Sequence, residues 1–168
     1  IGNRILEGVN LSSLGSVTRA IGKIEESLDY YQQALDIARQ IHDRRVEGFA
    51  LSSMGGAYRA LGNIDSAIEC YQRALGIARE TGYRQGEAID LADIASGYYA
   101  SGKLDQALEL YEQALKISGE IGDARQVGYH SVGLGKVWLA MQQYSKAAEC
   151  FKQALAVNLP DSDYRAML

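Results

Sequence analysis

The sequence predicts an all-α fold, a solenoid of stacked helical hairpins, and three observations support this prediction. Residues 45–84 and 85–124 are identical at 14 of 40 positions without a gap, so a 40-residue unit recurs along the chain. A fixed period of this length is typical of repeat proteins, in which each unit buries the apolar face of the next. Pro160 is the single proline, and proline interrupts helix interiors. No segment keeps the alternation of apolar and polar residues that indicates a strand.

Each repeat is predicted to hold two helices, helix A and helix B, joined by a short turn. In the first repeat, apolar residues recur at helical spacing, which predicts helix A over residues 4–21 and helix B over residues 24–41. Turns this short make the two helices antiparallel neighbours. Asp123 and Gln126 fit a capping box at the start of a later helix A. The period places the remaining helix pairs at about residues 44–61 and 64–81, 84–101 and 104–121, and 124–141 and 144–158.

The period also predicts how the chain is divided. We expect one continuous array over residues 1–168, because stacked repeats share a single core. Asp163 and Arg165 repeat an aspartate and an arginine found 40 positions earlier, so a further helix A is expected to begin near residue 162. Residues 1–3 match the end of a unit, and we therefore expect a segment of a longer array. The repeats are expected at about residues 4–43, 44–83, 84–123 and 124–161, with the start of a further repeat at 162–168.

The net charge limits the classes of partner, and the cysteines indicate the redox compartment. A net charge of −4 and a pI near 5.2 disfavour a nucleic-acid or anionic-membrane partner, which would need a basic excess. No apolar run approaches the roughly 18 residues of a membrane-spanning helix. Cys70 and Cys150 occupy the same position two repeats apart, roughly 20 Å by helix spacing, whereas a disulfide needs Cα atoms within about 7 Å. We expect two buried thiols in a reducing, cytoplasmic compartment.

The recurring residues resemble the tetratricopeptide repeat, whose helix A carries a large residue, Leu-Gly and then Tyr, and whose helix B carries Ala and then Phe. The matching helix A positions are Leu11, Leu14, Gly15 and Thr18; Leu51, Met54, Gly55 and Tyr58; Leu91, Ile94, Ala95 and Tyr98; and Ser131, Leu134, Gly135 and Trp138. The matching helix B positions are Ser27 and Tyr31, Ala67 and Tyr71, Ala107 and Tyr111, and Ala147 and Phe151. The chain departs from the pattern at Thr18, Ser27, Ala95 and Ser131.

The period of 40 residues, rather than 34, is similar to the repeats of kinesin light chains, of the Leu-Gly-Asn polarity proteins and of bacterial signalling arrays. The resemblance implies a right-handed α-solenoid of about four stacked helix-turn-helix repeats, with eight helices and a truncated ninth. It also implies that helix A of each repeat lines a concave face that binds a peptide or a partner helix. The glycines of helix A are expected to let helix B approach closely.

The helix A positions expected on that face are spaced i, i+3, i+7 and i+10, which forms one stripe on a helix. Arg19 and Arg59 are the leading candidates, because arginines on neighbouring repeats would hold two acidic side chains through paired hydrogen bonds. The alternative is that both are solvated surface charges. Phe49 and Tyr129 are either peptide anchors or packing residues between A helices. The other candidates on the stripe are Ser12, Ser16, Ser52, Asp93, Ser96, Tyr99 and Lys136.

The sequence gives little indication of chemistry. His42 and His130 stand at unrelated repeat positions, so a metal site or a general base is not expected, and neither is a cofactor. Motifs of the Cys-x-x-Cys, His-Glu-x-x-His and Gly-x-x-x-x-Gly-Lys types do not occur, and we expect no enzyme activity. Acidic residues that recur on helix B are expected on the solvated face: Asp29, Glu69, Glu109 and Glu149. Arginines that begin A helices are expected to pair with nearby acids: Arg4, Arg44, Arg84, Arg125 and Arg165.

The leading functional hypothesis is a protein–protein interaction scaffold, part of a larger protein, that binds a peptide or a partner helix in the concave groove, including one with acidic side chains. A preformed groove lowers the ordering cost of binding. One alternative is a regulatory or sensor segment of a multidomain signalling protein. Another is a structural spacer or a self-assembling array that associates end to end.

Overall fold

The computed structural model describes residues 2–157, which form eight α-helices and no strand. The all-α prediction is confirmed, and every helix in this part of the chain begins and ends within two residues of the position that the period predicts. The ninth helix expected over residues 162–168 lies outside the described residues. The helices are α1 (Gly2–Ala20), α2 (Ile24–Gln40), α3 (Arg44–Ala60), α4 (Ile64–Thr81), α5 (Arg84–Ala100), α6 (Leu104–Glu120), α7 (Ala124–Ala140) and α8 (Tyr144–Ala156).

The chain forms two compact units, called unit 1 (Ile1–Gly86) and unit 2 (Glu87–Leu168). Unit 1 contains α1 to α4. The first residues of α5 belong to unit 1, and the rest of α5 belongs to unit 2 together with α6, α7 and α8. A single array over the whole chain, with the repeat boundaries given above, stays a prediction.

In unit 1, consecutive helices pack as hairpins, and α2 packs against both its own partner α1 and the next helix, α3. The core of the unit joins all four helices, because α2, α3 and α4 contribute buried residues and Leu11 of α1 packs against them. Tyr31 and Leu51 are fully buried here. Burying an aromatic or aliphatic side chain contributes about 1.5–3 kcal/mol, so residues of this type supply most of the stability of the hairpin pair.

Close approach between helices A and B depends on a glycine in each hairpin of unit 1. A Cβ atom added to Gly15 would lie 2.6 Å from Cε1 of Tyr31, and one added to Gly55 would lie 2.6 Å from Cε1 of Tyr71. Carbon atoms pack best at about 3.5–4.0 Å, so no larger side chain fits there without moving the ring. The prediction that these glycines let helix B approach is confirmed.

In unit 2, the core joins α5, α6 and α7 through Ala95, Tyr111 and Leu134, and α8 packs on α7. The pairing of glycine and aromatic ring recurs between α7 and α8, where a Cβ atom on Gly135 would lie 2.7 Å from Cε1 of Phe151. Tyr111 differs from the other aromatic residues at this repeat position. Its ring lies against Gly133 of α7, where an added Cβ atom would lie 2.5 Å from Cζ.

The turns and helix starts follow the sequence closely. Glycines at five turn positions have positive φ, between 69° and 85°, which a residue without Cβ adopts at no steric cost. His42 and Gln142 adopt φ values of 56° and 60° at the two turns that lack this glycine. Asp123 caps α7 by accepting a hydrogen bond from the backbone of Gln126 at 3.0 Å, as the capping motif predicts. Asp43 and Asn63 cap α3 and α4 in the same way.

An ion-pair network ties three helices of unit 1 together. Glu47 of α3 accepts hydrogen bonds from Arg39 of α2 at 3.1 Å and from Arg44 at 2.6 Å. Arg44 also donates to Glu80 of α4. The two carboxylates raise the pKa of Arg44 further, with Glu80 as the larger cause. The expected pairing of arginines at the start of helix A is therefore confirmed for Arg44, and also for Arg4, which pairs with Glu7 at 2.8 Å.

Candidate functional site

The predicted stripe of helix A runs along α1 and α3 in unit 1, two helices that pack against each other. Six of the candidate residues lie on it: Ser12, Ser16, Arg19, Phe49, Ser52 and Arg59. Their exposure changes along the stripe. Ser16 and Ser52 are half-buried near the middle, whereas Arg19 and Arg59 are exposed near the carboxyl ends of the two helices. The stripe therefore combines small polar groups with a cationic end.

Ser12 is a correction to the predicted site. The residue is buried, and its hydroxyl donates to the carbonyl oxygen of Gly8 within the same helix at 3.0 Å. The burial follows from the packing of α1 against both α2 and α3, which leaves this position without contact to solvent. Ser12 therefore cannot present its hydroxyl to a ligand.

Ser16, one turn further along α1, connects the surface stripe to the core. Its hydroxyl donates to the carbonyl oxygen of Ser12 at 3.0 Å and accepts a hydrogen bond from the hydroxyl of Tyr31 at 3.2 Å. Tyr31 is the ring that packs on Gly15, so the polar end of this core residue reaches the stripe. This hydrogen bond links the surface of α1 to the core of the hairpin.

Arg19 lies over the backbone of α3. A Cβ atom built on Gly56 would lie 3.9 Å from both Cζ and Nη1 of Arg19, so the guanidinium group rests where Gly56 has no side chain. Within the described residues, no carboxylate forms an ion pair with Arg19. An exposed guanidinium group without a carboxylate partner can bind a ligand carboxylate through two parallel hydrogen bonds.

Phe49 gives the same stripe an apolar element. Its side chain is 59% exposed on α3, which is unusual for a large aromatic residue in a helix whose other face is buried. Seven residues separate Phe49 from Gly56, so the ring and the Arg19 contact are about 10 Å apart along the helix axis. This spacing matches roughly three residues of an extended peptide.

In unit 2, the candidates on α5 are Asp93, Ser96 and Tyr99. Asp93 and Ser96 are half-buried, and Tyr99 is exposed near the end of the helix, where unit 1 has arginines at the same repeat position. The stripe on α5 therefore begins with an acidic residue and ends with an aromatic one, whereas the stripe of α1 and α3 ends with arginines.

On α7, the candidates are Tyr129 and Lys136, and both are half-buried. The guanidinium carbon of Arg125 lies 5.5 Å from the centre of the Tyr129 ring, a cation–π contact that holds the ring against its own helix. Lys136 forms no ion pair within the described residues. Tyr129 therefore contacts Arg125 of its own helix, and both a role of Tyr129 as a peptide anchor and a role of Lys136 in binding stay predictions.

Sequence analysis did not anticipate the environment of His130, which is buried between α6 and α7. The hydroxyl of Ser118 lies 3.0 Å from its Nδ1 atom. Burial lowers the pKa of His130 to about 4, although a hydrogen bond with the backbone of Ala114 opposes this shift. The histidine is therefore neutral in the folded chain at pH 7 and joins two helices of the core.

The remaining groups give no sign of a catalytic or metal site in the described part of the chain. No cluster of three or more His, Cys, Asp or Glu side chains there could hold a metal ion. Cys70 is buried and Cys150 is half-buried, both are free thiols, and burial raises the pKa of each. Among the helices of residues 2–157, none is both long enough and apolar enough to cross a membrane.

Several solved structures share this fold. BtubC (BKLC) from P. vanneervenii is 23% identical with a TM-score of 0.79, over 90% of this chain and 63% of that chain. A Rap protein complexed with competence and sporulation factor is 20% identical with a TM-score of 0.85, over 94% and 44% of the two chains. A signal transduction ATPase with a tetratricopeptide repeat sensor, from Pyrococcus horikoshii, is 25% identical with a TM-score of 0.74, over 83% and 22%. The chain therefore spans less than two thirds of the length of each.

Comparison with curated protein sequences gives no match. The family model of the tetratricopeptide repeat, in contrast, matches three overlapping stretches, residues 6–80, 48–120 and 87–159. Each stretch covers about two of the 40-residue units, and together they include all eight described helices except the first residues of α1. The resemblance seen in the sequence is confirmed, and the chain belongs to the tetratricopeptide repeat family.

Proposed function

We propose that this chain is a protein-interaction scaffold rather than an enzyme, and that the helix A stripe of unit 1 binds an extended peptide or partner helix with acidic side chains. The observation that carries the proposal is the Arg19 guanidinium group, which is exposed, unpaired among the described residues and supported by the backbone of Gly56. Arg59 at the same position of the next helix A adds a second positive charge. A peptide carboxylate would meet a preorganised partner here.

Two further features support a peptide rather than a small anion. Phe49 offers an exposed aromatic ring on the same stripe, and exposed aromatic residues are enriched among the anchors of protein interfaces. The hydrogen bond from Tyr31 to Ser16 keeps α1 in register beneath the ligand, so that little ordering is needed on binding. A related fold, the Rap protein, has been solved in complex with competence and sporulation factor.

The proposal can be tested with a displayed library of random peptides. Peptides selected on the chain are synthesised, and their dissociation constants are measured by fluorescence anisotropy for the parent chain and its variants. Arg19→Glu should weaken the selected acidic peptides by at least about tenfold, or 1.4 kcal/mol. Arg19→Lys should weaken them by a smaller factor, because lysine keeps the charge but loses the paired geometry. Replacing the peptide's Asp or Glu by Asn or Gln should abolish the difference between these variants.

Arg73→Glu is the matched control, because Arg73 is an exposed cation of α4 that lies off the stripe, and the change in net charge is the same. Equal losses for Arg19→Glu and Arg73→Glu would mean that only the overall charge matters, and the proposed site would be wrong. Failure to select any peptide that binds to unit 1 would also contradict the proposal.

A second candidate function is a sensor segment in a signalling protein, favoured by the similarity to the tetratricopeptide repeat sensor of the Pyrococcus horikoshii ATPase. In this case a ligand would change the conformation of the chain as well as occupy the stripe. Small-angle scattering with and without a selected peptide distinguishes the two roles. A scaffold keeps its scattering profile apart from the added mass, whereas a sensor changes its dimensions at saturation.

A further inference from the structure

Gly56 occupies a place on α3 where packing within the chain does not require a glycine. Glycine is the least favourable residue in a helix interior after proline, so its presence there calls for a physical reason. For the neighbouring Gly55 the reason is the ring of Tyr71, which lies 2.6 Å from where a Cβ atom would be. The atoms nearest to a Cβ atom on Gly56 lie between 3.8 and 3.9 Å away, an ordinary contact distance. An alanine would therefore fit at this position.

The first repeat shows that the same kind of hairpin accepts a side chain here. Ser16 of α1 stands 40 positions before Gly56, and its hydroxyl accepts a hydrogen bond from Tyr31 at 3.2 Å. Tyr31 and Tyr71 are themselves counterparts, and each ring lies against the glycine that precedes this position. The geometry of the hairpin thus accommodates serine where α3 has Gly56.

Gly56 is distinguished by its place beside Arg19 in the proposed peptide site. Both Cζ and Nη1 of Arg19 lie 3.9 Å from the position of the missing Cβ atom. Since a Cβ atom would fit there at ordinary contact distance, an oxygen atom of a ligand fits as well. Gly56 is partly exposed, so this space can be reached from the surface.

We propose that Gly56 is a specificity-determining residue of the peptide site, and that one oxygen of the ligand's carboxylate enters the space that a Cβ atom would fill. The inference rests on the proposed function, because it names the residue that admits the acidic group to Arg19. A guanidinium group binds a carboxylate best through two parallel hydrogen bonds, which requires both oxygens to approach it closely. A Cβ atom on residue 56 would keep one oxygen away and leave a single hydrogen bond.

The test measures stability and peptide affinity in the same variant. Gly56→Ala should raise the urea midpoint of unfolding, because alanine favours the helix and has room at this position. The same variant should weaken a selected acidic peptide by about fivefold, the effect of one lost hydrogen bond, as measured by fluorescence anisotropy. Gly56→Ser should also fold, because Ser16 holds this place in the first repeat, and should weaken the peptide similarly.

Gly76→Ala is the matched control, because Gly76 is exposed on α4, which is not part of the stripe, and has no atom within 4 Å of an added Cβ. It should raise the midpoint and leave the peptide affinity unchanged. A double-mutant cycle then links the effect of Gly56→Ala to the guanidinium group. In the Arg19→Ala background, Gly56→Ala should weaken the peptide by less than about twofold, because the carboxylate has lost its partner there.

Equal peptide affinities of the parent chain and Gly56→Ala would overturn the inference. A lowered midpoint would do the same, because packing would then require the glycine, and so would an undiminished loss of affinity in the Arg19→Ala background. The proposed function is tested separately by Arg19→Glu. If Arg19→Glu weakens acidic peptides and Gly56→Ala does not, the peptide site stands and the role of Gly56 is wrong. If Arg19→Glu has no effect, both are wrong.

Discussion

Replacing Gly15 by alanine adds one methyl group at a close contact between α1 and α2. The new Cβ atom would lie 2.6 Å from Cε1 and 2.8 Å from Cδ1 of Tyr31. Carbon atoms prefer separations of about 3.5–4.0 Å, so the overlap is about 1 Å. Tyr31 is fully buried, and close-packed protein interiors leave little room for a ring to move. The substitution must therefore push the two helices apart or force the ring from its rotamer.

The expected magnitude follows from three opposing contributions. Alanine is favoured over glycine in a helix by about 1 kcal/mol. Overpacking a core costs about 1–3 kcal/mol, and the hydrogen bond from Tyr31 to Ser16, at 3.2 Å, contributes about 1 kcal/mol that the shift would remove. The net result is a destabilisation of about 1–3 kcal/mol. Gly76→Ala is the matched control: Gly76 is exposed on α4 with no atom within 4 Å of an added Cβ, so the same substitution should stabilise by about 1 kcal/mol.

Unit 2 contains a natural version of this substitution, and it suggests a rescue. Ala95 stands at the position of Gly15, and the ring of Tyr111 lies against Gly133 of α7 instead. Gly133 corresponds to Ser53 in the hairpin that follows Tyr31. Adding Ser53→Gly to Gly15→Ala should therefore recover part of the lost stability by giving the ring of Tyr31 the place that Tyr111 uses.

Urea unfolding followed by circular dichroism measures the free energies of unfolding. If Gly15→Ala is as stable as Gly76→Ala, the close contact with Tyr31 does not constrain the hairpin. If the effects of Gly15→Ala and Ser53→Gly simply add, with no favourable coupling, then Gly133 does not compensate for Ala95.

Two further predictions concern stability. His130 has its pKa lowered to about 4 in the folded chain from 6.5, so the unfolded chain binds more protons between these values, and stability should fall by up to about 3 kcal/mol as the pH falls from 6.5 to 4. His130→Asn should remove this part of the pH dependence, whereas His42→Gln, in an exposed turn, should retain it. Gln142 has a φ of 60° at a turn where other repeats have glycine, so Gln142→Gly should raise the free energy of unfolding by up to about 1 kcal/mol. The reverse change, Gly102→Gln at a φ of 73°, should lower the free energy of unfolding. Equal stability of the parent chain and both variants would show that a side chain at this turn position causes no strain.

The helices were predictable because the physics that sets them is local or periodic. The period fixes where each helix begins, and glycines with positive φ end most of them. The contact of Gly15 with Tyr31 followed from the repeat pattern because a residue without Cβ opposite an aromatic ring recurs at the same spacing. These relations depend on neighbouring helices only, so they survive in any stack of the same units.

The surface was harder to predict because spacing identifies a face of a helix but not the depth of each residue on it. Ser12 lies on the same face as Ser16, yet only Ser12 is fully buried, since α1 packs against two helices there. The displacement of the Tyr111 ring onto Gly133 depends on Ala95 in another helix, 38 residues earlier than Gly133. A pattern read one position at a time does not reveal such a coupling.

The stripe also differs from the packing positions in how it varies along the chain. Packing positions recur because each hairpin must solve the same steric problem, as the rings of Tyr31, Tyr71 and Phe151 against glycine illustrate. The position of Arg19 and Arg59 changes to Tyr99 in unit 2, where the same hairpin geometry tolerates it because the side chain lies at the exposed end of the helix. Side chains that packing does not constrain are free to serve recognition, so the fold does not require the cationic character of unit 1, and the proposed acidic ligand gives a reason for it.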